Sequence, residues 1–526
     1  MKPRVAVFSG PTATVSNSPP LVTGNKGRLR GERTAGSGSD HLVPQFLYEP
    51  VTVKIRKFSA HPLEADAAEM YHDDGKEYYE VTLSPEDGPY PLPYVARRAD
   101  GSGDGAPFEA ADLNDAGMNF GGRQTFYPDA SRIFMEIDRT VHGRRADGEG
   151  GPLSRRAEYD FIRVLPPGGY TKKGEVAGRD FFPYRPEGWK KRPRAMDLAR
   201  VANALQGGLA SGLYAGCLWL EGTPSLEETL YWASLLVDTE LPIAGVSSQR
   251  PHGVLSNDGD QNIIDAVDYV VSGKGAEMGA VGIIDGQIFS ARALTKTDAR
   301  PGGYKASGGH GGVLGSVKNG EVAVWYRPNY RHTHSSEVSL PRLPDALEFE
   351  DSGPASGPRT LRVKGPDGTL RAEVIPRIYI VKHTVYMEDD DDPGREVEIL
   401  ARVERALQER RGENSPRLHG FVLEGLVASG DGSISQKKAL DMAALNGMPV
   451  VRVYRNDPGG RVPSNADDLA VEGSNLSSVK ARLLLMASML KLGRLPTARD
   501  PKNPTSKDLE RAREKISEFQ KIFDSH

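Results

Sequence analysis

The sequence predicts an α/β protein in two parts: a larger N-terminal, mainly parallel α/β domain with a long insertion, and a smaller C-terminal α/β domain. Three observations predict it. From about residue 196, short apolar runs alternate with stretches of helical spacing, the rhythm of strands joined by crossover helices. That rhythm stops at a turn-rich segment, 346–368, and resumes at Ile378. The length, 526 residues, exceeds one ordinary domain of about 100–200 residues. The expected division is 1–345, a linker over 346–373, and 374–526, with the insertion at about 50–165.

Each element has its own signal. Val5 to Phe8 is a short buried strand that breaks at Ser9-Gly10-Pro11, and the Ser, Pro, Gly and basic residues of 15–45 make a long loop. Val51 to Phe58 and Tyr78 to Leu83 are strand-like pieces among Gly/Asp turns. Asp197 to Leu209 has helical spacing, and Cys217 to Leu220 is a continuous apolar strand. Ser225, with Glu228 three residues on, is the pattern of a capping box opening a helix whose apolar face is Leu226, Leu230, Ala233 and Leu236 or Val237. Leu241 to Val246 is a strand and Asn262 to Val271 a helix. Beyond the turn-rich segment, Ile378 to Val385, Gly420 to Leu423 and Pro449 to Tyr454 read as strands. Gln436 to Leu445, Ala481 to Leu492 and Ser506 to Phe523 read as helices.

Composition excludes several classes. Lys+Arg 67 against Asp+Glu 71 gives a net charge of −4, which argues against a nucleic-acid binder driven by a basic surface. One cysteine, Cys217, rules out an intrachain disulfide framework and speaks against a cysteine zinc site. No apolar run approaches the roughly 20 residues of a membrane span, and the apolar stretch after Lys2 and Arg4 is too short for a signal peptide. A cytoplasmic protein with no membrane or nucleic-acid partner is expected.

Ligands of open α/β sheets bind beyond the carboxyl ends of the strands. Two such ends carry hydroxyls: Ser9-Gly10-Pro11-Thr12 and Glu221-Gly222-Thr223-Pro224. Thr223 lies just ahead of a helix N-terminus, where backbone N–H groups can meet an oxyanion. Read singly, both threonines are ordinary turn or cap residues. Lys296, in Thr295-Lys296-Thr297, is a candidate base. The ordinary reading is a surface lysine. His332 and His334 have no acidic or cysteine partner nearby in sequence and read as surface residues.

Taken together, these segments resemble the bacterial-type asparaginase/glutaminase family. Its Thr-Gly-Gly-Thr-Ile segment corresponds to Ser9-Gly10-Pro11-Thr12-Ala13, and its His-Gly-Thr-Asp-Thr-x-Glu-Glu-Thr signature to Glu221 to Thr229. Arg250-Pro251, Ser256-Asn257-Asp258-Gly259 and Asn262 follow in the family's order, then Thr295-Lys296-Thr297. Met448 to Arg452 and Lys480-Ala481-Arg482 continue the likeness, which covers roughly 1–15, 170–330 and 374–495. The resemblance implies an asparaginase-like catalytic domain over 1–345 and an asparaginase-like C-terminal domain. It implies that Thr12 is the usual nucleophile, Thr223 the second threonine, and Lys296 the lysine that activates it or relays its proton. Gly10 and Gly222 would line the substrate site. The implied reaction is attack on an amide carbonyl, an acyl-enzyme, and hydrolysis by water, with no metal and no organic cofactor. A homodimer or homotetramer with its active site near the subunit interface is implied as well.

The departures matter as much. The family aspartate that binds the substrate α-amino group is replaced by Pro224, and the serine that helps hold the α-carboxylate falls at Gly178, beside Arg179 and Asp180. The family's loop tyrosine has no counterpart between Thr12 and Gln45; Tyr48 is the nearest. The glutamate lent by the neighbouring subunit falls near Asp467 and Asp468. A buried ammonium without a counter-charge costs several kcal/mol, so free asparagine is disfavoured. The expected substrate is a small amide, cyclic amide or imide, with Arg179 holding a carboxylate on it; the plain alternative for Arg179 is a surface ion pair. Three other readings stand beside this one: a non-catalytic small-ligand binding protein, a true asparaginase/glutaminase with a rearranged clamp, and the amide-splitting subunit of a transfer-RNA-dependent amidotransferase. Pro224 counts against the last.

Overall fold

The structure, a computed structural model, describes residues 2–10, 51–56, 78–83, 156–163, 194–250, 258–308, 310–349, 359–384, 392–411, 417–427, 429–455, 460–463 and 468–526. The chain opens with β1 (Arg4–Ser9), β2 (Val51–Arg56), β3 (Tyr78–Leu83) and β4 (Glu158–Arg163). The α/β run follows: α1 (Asp197–Ala210), β5 (Cys217–Leu220), α2 (Leu226–Leu236), β6 (Ile243–Val246), α3 (Gly259–Val271) and β7 (Ala280–Ile284). Next come β8 (Gln287–Ser290), β9 (Leu294–Lys296), β10 (Tyr304–Ala306), β11 (Val313–Lys318) and β12 (Glu321–Val324).

The main sheet has the order β12-β11-β8-β7-β6-β5-β1-β4. The five strands from β7 to β4 are parallel, and β8, β11 and β12 extend the sheet antiparallel. Its edge strand β4 comes from within the stretch expected as an insertion. β2 and β3 form a separate antiparallel pair.

Alternation along the central strands explains why both sheet faces are covered. Ala6, Phe8, Cys217 and Trp219 point into one core with Leu205, Leu230 and Trp232 of α1 and α2. Val5, Val7, Leu218 and Leu220 point into the other with Ile263 and Val267 of α3. A parallel strand buried on both faces reads as an unbroken apolar run, as β5 does. The buried indoles are satisfied: Trp219 Nε1 donates to Thr229 Oγ1 at 2.9 Å and Trp232 Nε1 to the Leu198 carbonyl at 2.8 Å.

The expected linker contains an antiparallel pair, β13 (Ala346–Phe349) and β14 (Arg359–Arg362). Beyond it come β15 (Arg377–Lys382), α4 (Val397–Arg411), β16 (His419–Gly425), α5 (Ile434–Leu445), β17 (Val450–Tyr454), β18 (Val471–Glu472), α6 (Ser478–Leu492) and α7 (Ser506–Ser525). β15, β16, β17 and β18 make a second, parallel sheet. The α/β class and the mainly parallel main sheet are as the sequence predicts.

One local expectation fails. Ser225 precedes α2, but its side chain does not cap the helix; Ser225 Oγ donates to the Gly222 carbonyl at 3.4 Å, and Glu228 pairs instead with Arg482 of α6. The Ser225 backbone is already in the helical region, so its hydroxyl faces back along the turn. Capping boxes form at Ser433 with Gln436 and at Thr505 with Asp508.

Candidate active site

Thr223 and Lys296 meet. They stand 73 residues apart in sequence, yet Lys296 Nζ donates to Thr223 Oγ1 at 2.6 Å. Thr223 occupies the turn between β5 and α2, at the carboxyl edge of the main sheet. Both residues are half-buried, and Pro224 is exposed. Lys296 ends β9, which pairs antiparallel with β10 so that Tyr304 lies opposite it.

Glu227 holds the lysine strand in place. Its Oε2 accepts the Lys296 main-chain N–H at 3.2 Å. Burial pushes the Glu227 carboxyl upward, while the Lys480 ammonium, the Lys296 N–H and the Thr295 hydroxyl pull the other way. Lys480 enters from α6, with its Nζ donating to the Glu227 carbonyl at 2.5 Å and the Ala291 carbonyl at 2.6 Å. One buried ammonium thus ties together the two segments that carry the pair.

Gly222 and Gly10 flank this edge. The Gly222 carbonyl accepts the N–H groups of Ser225 and Leu226, each at 3.1 Å. Those two helix-terminal donors are therefore engaged within the turn, not aimed outward as the sequence suggests for an oxyanion. Gly10 follows β1, and its N–H donates to the Leu220 carbonyl at 2.7 Å. A Cβ on Gly10 would stand 2.1 Å from Glu221 Oε2 and 2.7 Å from Trp219 Cζ2, and both side chains are buried. Gly10→Ala is therefore expected to destabilise the fold by about 1–3 kcal/mol, measured by urea unfolding. An unchanged midpoint would show that Glu221 can move aside.

Asp258 and Asn262, legible in sequence as motif residues, act as struts. Asp258 accepts the N–H groups of Gln249 and Arg250 at 3.0 and 2.9 Å. Asn262 Nδ2 donates to the Ser247 carbonyl at 3.0 Å, and its Oδ1 accepts the Asp285 N–H at 2.9 Å. Together they fix the loop leaving β6. Asp468 is paired with Lys437 at 2.7 Å and Arg452 at 2.9 Å. His332 is half-buried, not a surface residue; burial pushes its pKa down to about 4. Thr12, Tyr48, Gly178, Arg179, Asp180 and Asp467 lie outside the described residues.

Glu227, Tyr304 and Lys480 carry roles that the motif reading does not assign. Gly302-Gly303, close after the apolar Leu294, is a hairpin signal that would have placed Tyr304 beside Lys296. A cavity of about 310 Å³ lies elsewhere, bordered by Tyr231, Arg292, Tyr330, Asn475 and His526, and neither Thr223 nor Lys296 lines it. Among the described residues, no three His, Cys, Asp or Glu side chains are grouped as a metal site, and no helix is long and apolar enough to cross a membrane.

Comparison with known proteins bears on the same segment. The profile of the family described as "Asparaginase, N-terminal" matches residues 194–330, which include β5, α2, Thr223 and Lys296. Over this segment the chain resembles the asparaginase family. Among similar proteins, the glutaminase-asparaginase of Acinetobacter glutaminasificans is 32% identical over 155 residues, 29% of this chain and 45% of that protein. L-asparaginase 2 of Bacillus subtilis (strain 168) is 24% identical over 299 residues, 56% of this chain and 66% of that protein. In both cases the match spans less than two thirds of the relative's length. A probable cytoplasmic L-asparaginase from Campylobacter jejuni, of known structure, shares 19% identity at a TM-score of 0.48, covering 71% of this chain and 93% of that one.

Proposed function

We propose that this protein is an asparaginase-type amidohydrolase that cleaves a carbon–nitrogen amide bond through a threonine nucleophile and an acyl-enzyme. The observation that carries the reading is the 2.6 Å contact between Lys296 Nζ and Thr223 Oγ1 at the carboxyl edge of the main sheet. A hydroxyl is a weak nucleophile until a neighbouring base takes its proton; a contact this short allows that transfer when the lysine meets the hydroxyl as the neutral amine, which then becomes the ammonium that returns the proton. By the resemblance, the Thr12 hydroxyl attacks the carbonyl carbon and a C–O bond forms. The C–N bond then breaks, and the nitrogen leaves as ammonia or an amine with a proton relayed through Thr223 and Lys296. Water then attacks the ester, releasing the acid and restoring the threonine. The chemistry as written uses two hydroxyls, one lysine amine and water.

The substrate we infer is not free asparagine. Pro224 offers neither charge nor N–H where the family's signature has the aspartate that receives the α-ammonium. A small amide without that group, a cyclic amide or an imide fits better, with Arg179 set to hold a carboxylate on it. The division into 1–345, 346–373 and 374–526, a homodimeric or homotetrameric assembly and a cytoplasmic location belong to the same proposal.

A panel tests this: ammonia or amine release from asparagine, glutamine and simple amides lacking an α-amino group, and ring opening of succinimide to succinamate. Turnover at least ten times faster on members without the amino group is expected. Equal or faster turnover of asparagine sinks the specificity claim. Turnover of no member sinks catalysis and leaves the binding-protein reading.

A further inference from the structure

The β9–β10 hairpin touches Thr223 twice. One strand supplies Lys296, whose Nζ reaches Thr223 Oγ1 at 2.6 Å. The other supplies Tyr304, whose hydroxyl donates to the Thr223 carbonyl at 2.7 Å. The two residues face each other across the ladder, so their spacing is set by one backbone pair. We propose that Tyr304 is a positioning residue for the amidohydrolase reaction: it clamps the Thr223 main chain so that the side-chain hydroxyl stays in register with Lys296. The inference rests on the function proposed above and adds a residue to it.

The surroundings suit that role. Tyr304 is 4% exposed, and burial pushes its phenol well above the usual tyrosine range, so the hydroxyl keeps its proton and remains a donor. With its proton given to Thr223, the phenol oxygen is free to accept from Ser247 Oγ, 3.1 Å away. Ser247 is itself anchored, because its carbonyl accepts from Asn262 Nδ2. A chain of donors therefore runs from the loop after β6, through Tyr304, to the turn that carries Thr223. Such chains polarise each bond along them. Pro224 contributes no N–H to this turn, so the Tyr304 bond to the Thr223 carbonyl adds to the hold of the Gly222 carbonyl.

Tyr304→Phe removes one oxygen and keeps the ring. On the best amide of the panel, kcat is expected to fall about tenfold with KM within twofold. Ser247→Ala should cost about threefold, and the double variant should be no slower than Tyr304→Phe alone, because both changes break one chain. A merely structural role would lower the melting temperature without that coupling. A crystal structure of Tyr304→Phe supplies a readout independent of rate: the Lys296–Thr223 contact should lengthen beyond hydrogen-bonding distance. An unchanged contact, an unchanged kcat or additive losses each overturn the inference. Failure of the amidohydrolase reading looks different, since the unaltered protein would then be inactive on the whole panel.

Discussion

Lys296→Met is expected to lower kcat for amide hydrolysis by roughly three orders of magnitude, within the range that a positioned acid–base group contributes. The substitution keeps a long unbranched side chain and removes the nitrogen that stands 2.6 Å from Thr223 Oγ1. The backbone N–H still reaches Glu227, and the β9–β10 ladder is untouched, so the fold should survive. Thr223→Val, which removes the other member of the pair, should cost about as much. The double variant should be little worse than either single one, because groups that act as a unit lose their effect together. Steady-state kinetics on the best amide of the panel checks this. A loss below tenfold for Lys296→Met would remove the lysine from the mechanism.

The second large effect is expected in stability, at Lys480. This residue is 1% exposed, and its ammonium donates to two main-chain oxygens and lies 5.1 Å from the Tyr231 ring. Burial pushes its pKa down to about 8, with Glu227 and Glu228 pulling it up and Arg292 pushing it down. Lys480→Ala removes the ammonium shared by the Glu227 and Ala291 carbonyls, at about 1–3 kcal/mol for a lost buried donor, and opens a void. It also relieves the cost of holding a charge in a dry place, so a net loss of about 3 kcal/mol is expected by urea unfolding.

The pH dependence has a definite sign. Between about pH 8 and the ordinary lysine value of 10.5, the unfolded chain keeps a proton that the folded chain has released. Stability from this group therefore rises with pH across that window and is flat below it. Lys480→Met should abolish the rise. A slope unchanged by that substitution would mean that another group sets it.

How much of this was legible follows from the range of each interaction. The strands and helices were readable because their signals are local: β5 is an apolar run and α2 an amphipathic repeat. Thr223 and Lys296 were readable only as motif residues in order, since no local pattern tells that residues 73 apart will touch. Asp258 and Asn262 were visible as motif residues, but their role as struts needed coordinates. The capping box at Ser225 was misread because the turn before α2 is held from the Gly222 carbonyl, not by the serine hydroxyl. Tyr304 and the roles of the motif residues Glu227 and Lys480 escaped for a shared reason. Each acts through a main-chain atom of a distant segment, and a main-chain partner leaves no trace in residue identity.

The reach of Lys480 from α6 also limits how the molecule can breathe. Opening the two halves like a jaw would pull a cation away from two oxygens at once, before water could replace them. The helix that carries Lys480 is thus expected to move as one piece with α2 and the segment between β8 and β9.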